Sequence, residues 1–538
     1  MALLLTVFTL IYSLAAVALA VFASAIFVLL ILWWVHRRRV AVPPLVDEAH
    51  WPQVTVQIPI YNEAAVVERV LLAAAALDYP REKLHLQLLD DSDDDTADLA
   101  AALTAELRAQ GVNLDHIRRP QRVGYKAGAL AYGLTLTDAP FIAIFDADFV
   151  PPPDFLRQTI PYFLADDQLG IVQTRWAHLN PTQNLITRTQ AMSIDAHFVV
   201  EQTARSRGGL LLSFNGTGGI WRRAAIDDAG GWSHATLAED LDLSYRAQMR
   251  GWRYLYLPDV AVPAELPPQI AAYKRQQARW AKGTTQNLLR HLGDLWRNPR
   301  LNVFQKGMGT LHLCQYLPQP LILLMTLLTP PLLLAGVAQN LPLGFLGITG
   351  LAAPLMYLVS QQVLYRDWPR RMIAFPLLIA VGSGVSLNNT VAVIEALLRR
   401  PSIFKRTPKF SDQAWTHNRY ALRLEWTFGL EVALALYTAL GGLLALRLAP
   451  GLAPFLFGQT YGFSAIVLWS LWDEARVRRL QRQNALVSER AASTIDKNSG
   501  SDNFSPSPQT PLPQVEGLNN QTLSPHAKPI DGRWESGD

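Results

Sequence analysis

Residues 141–148 read FIAIFDAD, a short apolar run with strand composition that ends in two aspartates. Two earlier runs resemble it: residues 54–60, VTVQIPI, and residues 85–91, HLQLLDD, which also end in two aspartates. Ala-rich stretches with helical composition separate the runs, and strands that alternate with helices indicate βαβ units and a mainly parallel sheet. In such open sheets ligands bind at the carboxyl ends of the strands. The sequence therefore predicts an α/β fold with two acidic clusters at one edge of its sheet.

The acidic clusters comprise Asp90 and Asp91 after one strand and Asp146 and Asp148 after another. Carboxylates that converge without partners repel one another, so a shared cation is expected. Mg²⁺ and Mn²⁺ take oxygen ligands and often bind through one or two carboxylates plus substrate phosphates. We therefore predict a Mg²⁺ or Mn²⁺ site at Asp146 and Asp148 that holds a diphosphate. The alternative for a single Asp-x-Asp is a chance pair in a turn, and residues 93–95 are better explained as a solvated helix cap.

Two further motifs carry polar chemistry later in the chain. Glu239 and Asp240 precede a helical stretch, and a carboxylate there can accept a proton from an attacking hydroxyl within hydrogen-bond distance. The alternative is a helix that carries acidic residues in its first turn. Gln276, Arg279 and Trp280 are three and four residues apart, on one face of a predicted helix. Arg suits diphosphate recognition and Trp can stack on a sugar or base, whereas the alternative is snorkelling at a membrane surface.

The composition indicates a membrane. Of 538 residues, 50% are hydrophobic and only 17% are charged, which is below the usual share in soluble proteins. The net charge of +4 is too small for this length to indicate a nucleic-acid partner. The single cysteine, Cys314, excludes an intramolecular disulfide framework and Cys-rich metal sites. A membrane enzyme, a transporter and a large soluble enzyme with apolar helices remain.

The apolar residues cluster at the two sides of a polar central region. Residues 2–35 contain no charged side chain, and HRRR follows directly, so residues 1–36 are predicted to be an uncleaved membrane helix with its C-terminal end in the cytoplasm. Residues 50–290 are predicted to form the cytoplasmic domain. The tail at 483–538, rich in Ser, Asn, Pro and Gly, is predicted to be disordered.

The region 291–475 is predicted to contribute four transmembrane helices, near 316–337, 342–363, 425–446 and 452–472. A further apolar segment, 372–397, lies between linkers 364–371 and 398–424, both of which are rich in Arg or Lys. Basic linkers face the cytoplasm, and a single crossing between them would place them on opposite sides. We therefore predict that 372–397 is interfacial and that the chain crosses five times; a sixth span is the alternative.

The motifs occur in one order: Asp90-Asp91, Asp146-x-Asp148, Glu239-Asp240 and Gln276-x-x-Arg279-Trp280. This order resembles the D, DxD, TED, QxxRW signature of processive family 2 glycosyltransferases, the cellulose synthase superfamily. QIPIYNE at 57–63, GYKAGAL at 124–130 and FNGTGG at 214–219 are similar to the cellulose-synthase-like A group of mannan and glucomannan synthases and their bacterial relatives. Ala238 departs from the Thr or Val that is commoner in the family, but the acidic residues are kept.

The resemblance implies an α/β, Rossmann-like nucleotide-diphospho-sugar transferase domain of GT-A type, inserted between the helices of a multi-pass membrane protein. It implies an inverting enzyme with Asp240 as general base and a metal at Asp146 and Asp148. The implied nucleotide-sugar ligands are Glu63, Asp90, Asp91, Lys126, Asp146, Asp148, Gln276, Arg279 and Trp280. The implied acceptor ligands are Phe214, Asn215, Gly216, Thr217, Glu239 and Trp280. A gating loop over the nucleotide is implied at Phe404, Thr407 and Lys409.

The implied reaction moves a hexose from GDP-mannose or UDP-glucose onto a β-linked polysaccharide, a mannan, glucomannan or β-glucan, with translocation through the membrane helices. The implied partners are the nucleotide sugar, a polysaccharide or lipid acceptor and membrane lipids. Nucleic acid is excluded, and the oligomeric state is left open. If the protein is bacterial, the implied location is the inner membrane. The alternatives are a glucosyltransferase that makes a glycolipid, a transporter with a nucleotide-sensing domain, and a catalytically inactive binding protein.

Overall fold

The computed structural model describes residues 2–39, 41–47, 50–337, 348–401, 406–409, 422 and 424–498. Helix α1 spans Ala2–His36 and precedes the sheet domain. The predicted gating residue Phe404 lies outside the described residues, as does the tail from 499 to 538.

A mixed sheet forms the centre of the domain. Its strands in the described residues are β1 Val54–Ile60, β2 Leu84–Asp90, β3 Leu114–Ile117, β4 Phe141–Ile144, β5 Leu169–His178, β6 Gly219–Arg222 and β7 Arg253–Ala264. They lie in the order β3-β2-β1-β4-β6-β5-β7. Strands β1 to β4 are parallel, β5 pairs parallel with β7, and β6 alone is antiparallel to both of its neighbours. The predicted α/β class is confirmed, with one reversed strand that the sequence pattern did not indicate.

Helices cover both faces of the sheet because its central strands are apolar throughout. The helices of this region are α2 Val67–Ala75, α3 Thr96–Ala109, α4 Tyr125–Leu134, α5 Phe155–Ala165, α6 Leu185–Ala196, α7 Thr203–Arg207, α8 Arg223–Asp228, α9 Glu239–Arg250 and α10 Ile270–Arg297. One core contains Val56 and Ile58 of β1 with residues of α2, α3 and α5. The other contains Ile142 and Ile144 of β4 with residues of α4, α8 and α9. This packing fixes the strand ends relative to the helices that follow them.

The remaining helices follow the sheet domain. They are α11 Val303–Leu313, α12 Pro318–Leu334, α13 Ala352–Leu364, α14 Trp368–Arg371, α15 Phe375–Gly384, α16 Ser386–Leu397, α17 Phe428–Leu448 and α18 Ala453–Asn498. Helix α18 continues through the first part of the predicted disordered tail, 483–498, which is helical in the structure. Three of these sixteen residues are Ala, which strongly favours helices, and none is Pro or Gly; the Pro- and Gly-containing sequence begins only after them.

Four helical segments of the described residues are long and apolar enough to cross a membrane: Ala2–His36, Trp368–Leu397, Phe428–Leu448 and Pro450–Arg479. Helices α11 and α12, bent by 62°, form a fifth candidate if they act as one span. The predicted span at 342–363 corresponds to α13, of which 13 helical residues are described. The segment predicted to be interfacial, 372–397, lies within one of the four candidates. Its interfacial placement and the number of crossings therefore stay predictions.

Helix α10 joins the sheet domain to the membrane candidates. Lys274, near its start, forms a buried ion pair with Glu431 of α17, with 2.6 Å between Nζ and Oε1. Further along α10, Lys282 pairs with Glu395 of α16 at 2.9 Å. The Asn388 side chain of α16 donates a hydrogen bond to the Lys274 carbonyl at 3.0 Å. These contacts hold α10 against α16 and α17 at several points along its length.

Candidate active site

A cavity of about 630 Å³ opens at the carboxyl edge of the parallel strands. Its walls come from the ends of β1, β4 and β5, from the starts of α4, α9 and α10, and from residues 406–409. Of the sequence-predicted site residues, it brings together Glu63, Asp91, Lys126, Asp146, Asp148, Asn215, Gly216, Glu239, Asp240, Gln276, Arg279, Trp280, Thr407 and Lys409. Residues that are 346 positions apart in the chain, Glu63 and Lys409, therefore share one site.

Asp146 follows β4 and is held from two sides. Its backbone N–H donates to the Thr217 hydroxyl at 2.8 Å, and its carboxylate accepts from Lys126 Nζ at 2.5 Å. Lys126 also donates to the Gly216 carbonyl at 2.8 Å. Burial disfavours a charged lysine, but the carboxylates of Asp146, Glu239 and Asp240 together raise the pKa of Lys126. The lysine is thus a fixed cation between the two acidic motifs.

Asp148 lies deeper than Asp146, and Lys409 reaches it from the far end of the chain. Lys409 Nζ is 2.5 Å from Asp148 Oδ2. Burial, together with the charges of Asp146 and Glu265, raises the pKa of Asp148 although Lys409 opposes this. Burial likewise raises the pKa of Glu63 to about 7, with Asp148 and Asp146 adding to the effect. Burial and mutual repulsion thus disfavour the ionised forms of Glu63 and Asp148. A bound cation would relieve this repulsion.

The two aspartates after β2 differ in their surroundings. Asp90 is 2% exposed and does not line the cavity. Its carboxylate accepts from His116, Arg118 and the Ser92 amide, and these contacts lower the pKa of Asp90 although burial opposes them. The predicted contact of Asp90 with a nucleoside thus has no geometric support, because its carboxylate is engaged by His116 of β3 and by Arg118 just after that strand.

Asp91 does line the cavity, and a double hydrogen bond orients it. Arg119 Nε and Nη2 donate to its two oxygens at 2.7 and 2.6 Å. Arg122 stacks over the Tyr61 ring at 3.3 Å from the ring centroid and lies 5.1 Å from that of Tyr125. This end of the cavity therefore offers a cation, aromatic rings and a carboxylate. The sequence alone did not predict a role for Tyr61, Arg122 or Tyr125. Tyr61 and Tyr125 do lie within the motifs QIPIYNE and GYKAGAL, on which the family resemblance rests.

Glu239 and Asp240 begin α9, so the alternative of a helix with an acidic first turn describes their backbone correctly. They also face the cavity. Burial, followed by the negative charge of Glu239, raises the pKa of Asp240 to about 7, although Lys126 opposes this. The Leu241 amide donates to Asp240 Oδ1 at 2.8 Å and fixes the side chain. A carboxylate with such a pKa can take up a proton near neutral pH.

The predicted acceptor loop divides between the cavity and the core. Asn215 and Gly216 line the cavity, and Asn215 Nδ2 is buried without a hydrogen-bond partner among the described residues. Gly216 has a φ of 82°, and a Cβ there would lie 3.0 Å from Asp240 Oδ2. Phe214 is instead fully buried against Trp221, with 5.5 Å between ring centroids, and Thr217 is buried beneath Asp146. Neither of these two side chains lines the cavity.

The third motif lies on the N-terminal half of α10. Gln276, Arg279 and Trp280 are half-buried and line the cavity from one helical face. Because Lys274 and Lys282 of the same helix are tied to α17 and α16, the motif is held at a set height above the sheet edge. Snorkelling at a membrane surface does not describe this position. Thr407 lines the same cavity, with its hydroxyl buried and unpartnered within the described residues.

The residues predicted to bind metal supply part of a ligand set. Among the described residues, no group of three or more His, Cys, Asp or Glu is placed to hold a metal ion. Asp146 and Asp148 nevertheless direct carboxylates into the cavity, and each is now met by a lysine. Two carboxylates fit a Mg²⁺ or Mn²⁺ ion whose other oxygen ligands come from a diphosphate.

Comparison with known proteins agrees with this geometry. Residues 52–283 match the family described as Glycosyltransferase like family 2, so this part of the chain is a family 2 glycosyltransferase domain. Glucomannan 4-beta-mannosyltransferase 2 of Arabidopsis thaliana is 40% identical over 296 residues, 53% of this chain and 55% of that protein. Probable glucomannan 4-beta-mannosyltransferase 7 of Oryza sativa subsp. japonica is 46% identical over 246 residues, 45% of this chain and 42% of that protein. The resemblance that the motifs indicated is confirmed.

The chain spans about half the length of the curated relatives it matches. Among solved structures, the mannosyltransferase PcManGT from Pyrobaculum calidifontis, in complex with GDP-Man and Mn²⁺, is similar with a TM-score of 0.50 and 21% identity. That match covers 72% of this chain and all of the other. It supports the same fold for the sheet domain.

Proposed function

We propose that this protein is a membrane-embedded, inverting mannosyltransferase that transfers mannose from GDP-mannose to a growing β-linked mannan or glucomannan. The observation that carries the proposal is the position of Asp240. Burial and the charge of Glu239 raise the pKa of its carboxyl group to about 7, and it lies beside the Gly216 loop, in the same cavity as Asp146, Asp148 and Arg279. The names of the relatives, glucomannan 4-beta-mannosyltransferases, support mannose and the polysaccharide. The GDP-Man in the structural neighbour agrees with this donor.

In the proposed reaction the donor diphosphate lies between the strand ends and α10. Asp91 and the Arg122–Tyr61 stack face the nucleoside, while Arg279 and Lys126 offset the charge that develops on the leaving diphosphate. A divalent ion at Asp146 and Asp148, when bound, supplies further positive charge to the diphosphate oxygens.

Asp240 accepts the proton of the attacking acceptor hydroxyl. The acceptor oxygen forms its bond to the anomeric carbon on the face opposite to the leaving diphosphate, which inverts that centre. The Leu241 amide holds the Asp240 carboxylate in place during this step, and the charge of Lys126 favours its ionised form. Asn215, whose amide nitrogen is buried and unpartnered within the described residues, donates a hydrogen bond to the acceptor.

The decisive experiment incubates the purified full-length protein with Mn²⁺ or Mg²⁺ and radiolabelled GDP-mannose, with UDP-glucose as the comparison donor. Insoluble polymer that a β-mannanase digests supports the proposal. Chloroform-soluble product would instead indicate a glycolipid-forming enzyme, and UDP-glucose as the sole donor would exclude a mannosyltransferase. Binding of the nucleotide without any transfer would favour the transporter alternative.

Asp240→Asn should lower kcat by about 10²- to 10⁴-fold, the usual contribution of a general base, with little change in the affinity for the donor. Asp138→Asn is the matched control, because Asp138 is fully exposed. Equal activity of the two variants would remove Asp240 as the base.

Membrane embedding and a cytoplasmic active site belong to the same proposal. The candidate spans on both sides of the sheet domain support them, and translocation of the polymer would follow. In a Cys314→Ser background, a cysteine placed at Ser411 should react with an impermeant thiol reagent only in broken cells. Labelling of intact cells from outside would contradict this orientation.

A further inference from the structure

One cavity-lining residue has no place in the mechanism above. His178 is the last residue of β5 and lines the cavity. Its Nε2 lies 2.9 Å from Oδ1 of Asp195 on α6, and both side chains are almost fully buried, with 3% and 1% exposed. The second oxygen of Asp195 accepts from Gln361 Nε2 of α13 at 3.0 Å. A line of three polar side chains thus runs from α13 to the cavity wall.

This line determines which nitrogen of His178 carries the proton. Burial opposes ionisation of Asp195, but the contacts with His178 and Gln361 and the charge of Arg175 lower the pKa of its carboxyl group. An ionised carboxylate only accepts hydrogen bonds, so the neutral His178 ring carries its proton on Nε2. Nδ1, which has no hydrogen-bond partner within the described residues, is then left with a lone pair. The ring therefore offers the cavity an acceptor and not a donor.

The position of His178 assigns it to the acceptor side of the cavity. Trp176 and His178 are two residues apart on β5, so their side chains share one face of the sheet. Trp176 Nε1 donates to the Thr217 carbonyl at 3.3 Å, in the loop proposed to face the acceptor. Ile194, the neighbour of Asp195, lines the cavity as well. Trp176 and Ile194 thus give this part of the wall an aromatic and an apolar side chain beside His178, which suits a sugar ring and one of its hydroxyls.

We propose that His178 is an acceptor-binding residue, whose Nδ1 accepts a hydrogen bond from a hydroxyl of the acceptor glycan. Asp195 and Gln361 are its positioning residues: they fix the protonated nitrogen and the ring orientation without touching the glycan. The proposal rests on the glycosyl transfer proposed above. It adds a contact that joins helix α13 to the acceptor through Gln361, Asp195 and His178.

The test compares His178→Asn with His178→Gln in the full-length protein. The Asn side chain reaches about as far as Nδ1 and can place an oxygen near it, whereas the longer Gln side chain reaches the position of Nε2. With a short β-mannan oligosaccharide as variable acceptor, His178→Gln and His178→Phe should raise the acceptor KM about tenfold, the effect of one lost hydrogen bond and an unsatisfied hydroxyl. His178→Asn should stay within about threefold of the unmodified protein.

The donor KM and the rate of donor hydrolysis without acceptor should change less than about twofold in all three variants, since a merely structural defect would move both. Gln361→Met, farther from the glycan, should raise the acceptor KM by a smaller factor than His178→Phe. If Gln substitutes for His178 and Asn does not, the ring serves to hold Asp195 and the proposal is overturned. An unchanged acceptor KM in His178→Phe overturns it too, while transfer itself still supports the proposed function. If the unmodified protein transfers no sugar, the proposed function fails, and this inference fails with it.

Discussion

The buried ion pair between Lys274 and Glu431 makes a quantitative prediction about stability. The Glu431 side chain is fully buried and Lys274 is 3% exposed. Glu431 Oε1 accepts from Lys274 at 2.6 Å and from Thr427 at 3.1 Å, while Oε2 is buried without a hydrogen-bond partner in the described residues. Only Oε1 of Glu431 therefore has hydrogen-bond partners that offset the cost of burying the carboxylate.

Lys274→Met removes the cation and leaves a buried carboxylate uncompensated. Breaking a buried pair from one side typically costs about 3–5 kcal/mol, and the unpartnered oxygen of Glu431 leaves little to offset this cost. We expect the variant to be destabilised by that amount and its apparent Tm to fall by several degrees. Replacing both partners, Lys274→Met with Glu431→Leu, should recover most of the loss, because two apolar groups of similar size need no compensation.

The measurement is thermal unfolding of the detergent-solubilised full-length protein. Lys306→Met is the control, since Lys306 forms no ion pair within the described residues. The reasoning is refuted if the double variant unfolds at or below the temperature of Lys274→Met, or if Lys274→Met behaves like the control. Coupling to the site is measured alongside: the donor KM of Lys274→Met should rise because α10 also carries Arg279.

Three further predictions concern the cavity. The pKa of Asp240 is raised to about 7, and the proposed base must be ionised to accept a proton. We therefore expect kcat/KM to fall about tenfold per pH unit below pH 7 and to level off above it. A pH–rate profile that falls only near pH 4 would contradict Asp240 as the base. Gly216→Ala adds a Cβ 3.0 Å from Asp240 Oδ2 and 3.4 Å from Lys126 Nζ, at a φ of 82° that disfavours side chains. Because the added Cβ displaces these two groups, kcat in a steady-state transfer assay should drop at least tenfold while the protein still folds. Lys409→Met removes the cation beside Asp148, so the variant should bind the nucleotide more weakly in the absence of metal. The loss of nucleotide affinity should become smaller as Mn²⁺ is added, which calorimetric titration at several Mn²⁺ concentrations measures. The same loss of affinity at every Mn²⁺ concentration would count against this role of Lys409.

Much of the site was predictable because parallel strands bring the residues after their carboxyl ends to one edge of the sheet. Asp91, Asp146 and Asp148 each come directly after an apolar run, and local sequence suffices to place them there. Asp90 shows the limit: it is adjacent to Asp91 but alternates to the opposite side, where His116 and Arg118 hold it. Which member of an acidic pair faces a ligand depends on register, and register is set by pairing with strands elsewhere in the chain.

Other features depend on distant partners and left no local signal. Strand β6 has only four residues and comes after a Gly-rich stretch with turn composition, so its antiparallel place between β4 and β5 could not be inferred. The proposed role of His178 depends on its contact with Asp195, which in turn binds Gln361 of a helix far along the chain. Lys409 reaches Asp148 across 261 positions. Such contacts depend on tertiary packing, not on composition or periodicity.

The reversed strand β6 has a consequence for how the enzyme could diversify. A parallel strand brings the segment after it to the catalytic edge, whereas an antiparallel strand brings the segment before it. The proposed donor-binding residues Asp91 and Asp146 therefore come after their strands, while the loop with Asn215 and Gly216 precedes its own. In the proposed reaction, this part of the acceptor site is therefore encoded ahead of its strand, whereas Asp91, Asp146 and His178 lie at the carboxyl ends of theirs. We therefore expect substitutions ahead of β6 to change which glycan is extended without altering the strand ends that are proposed to hold the sugar nucleotide.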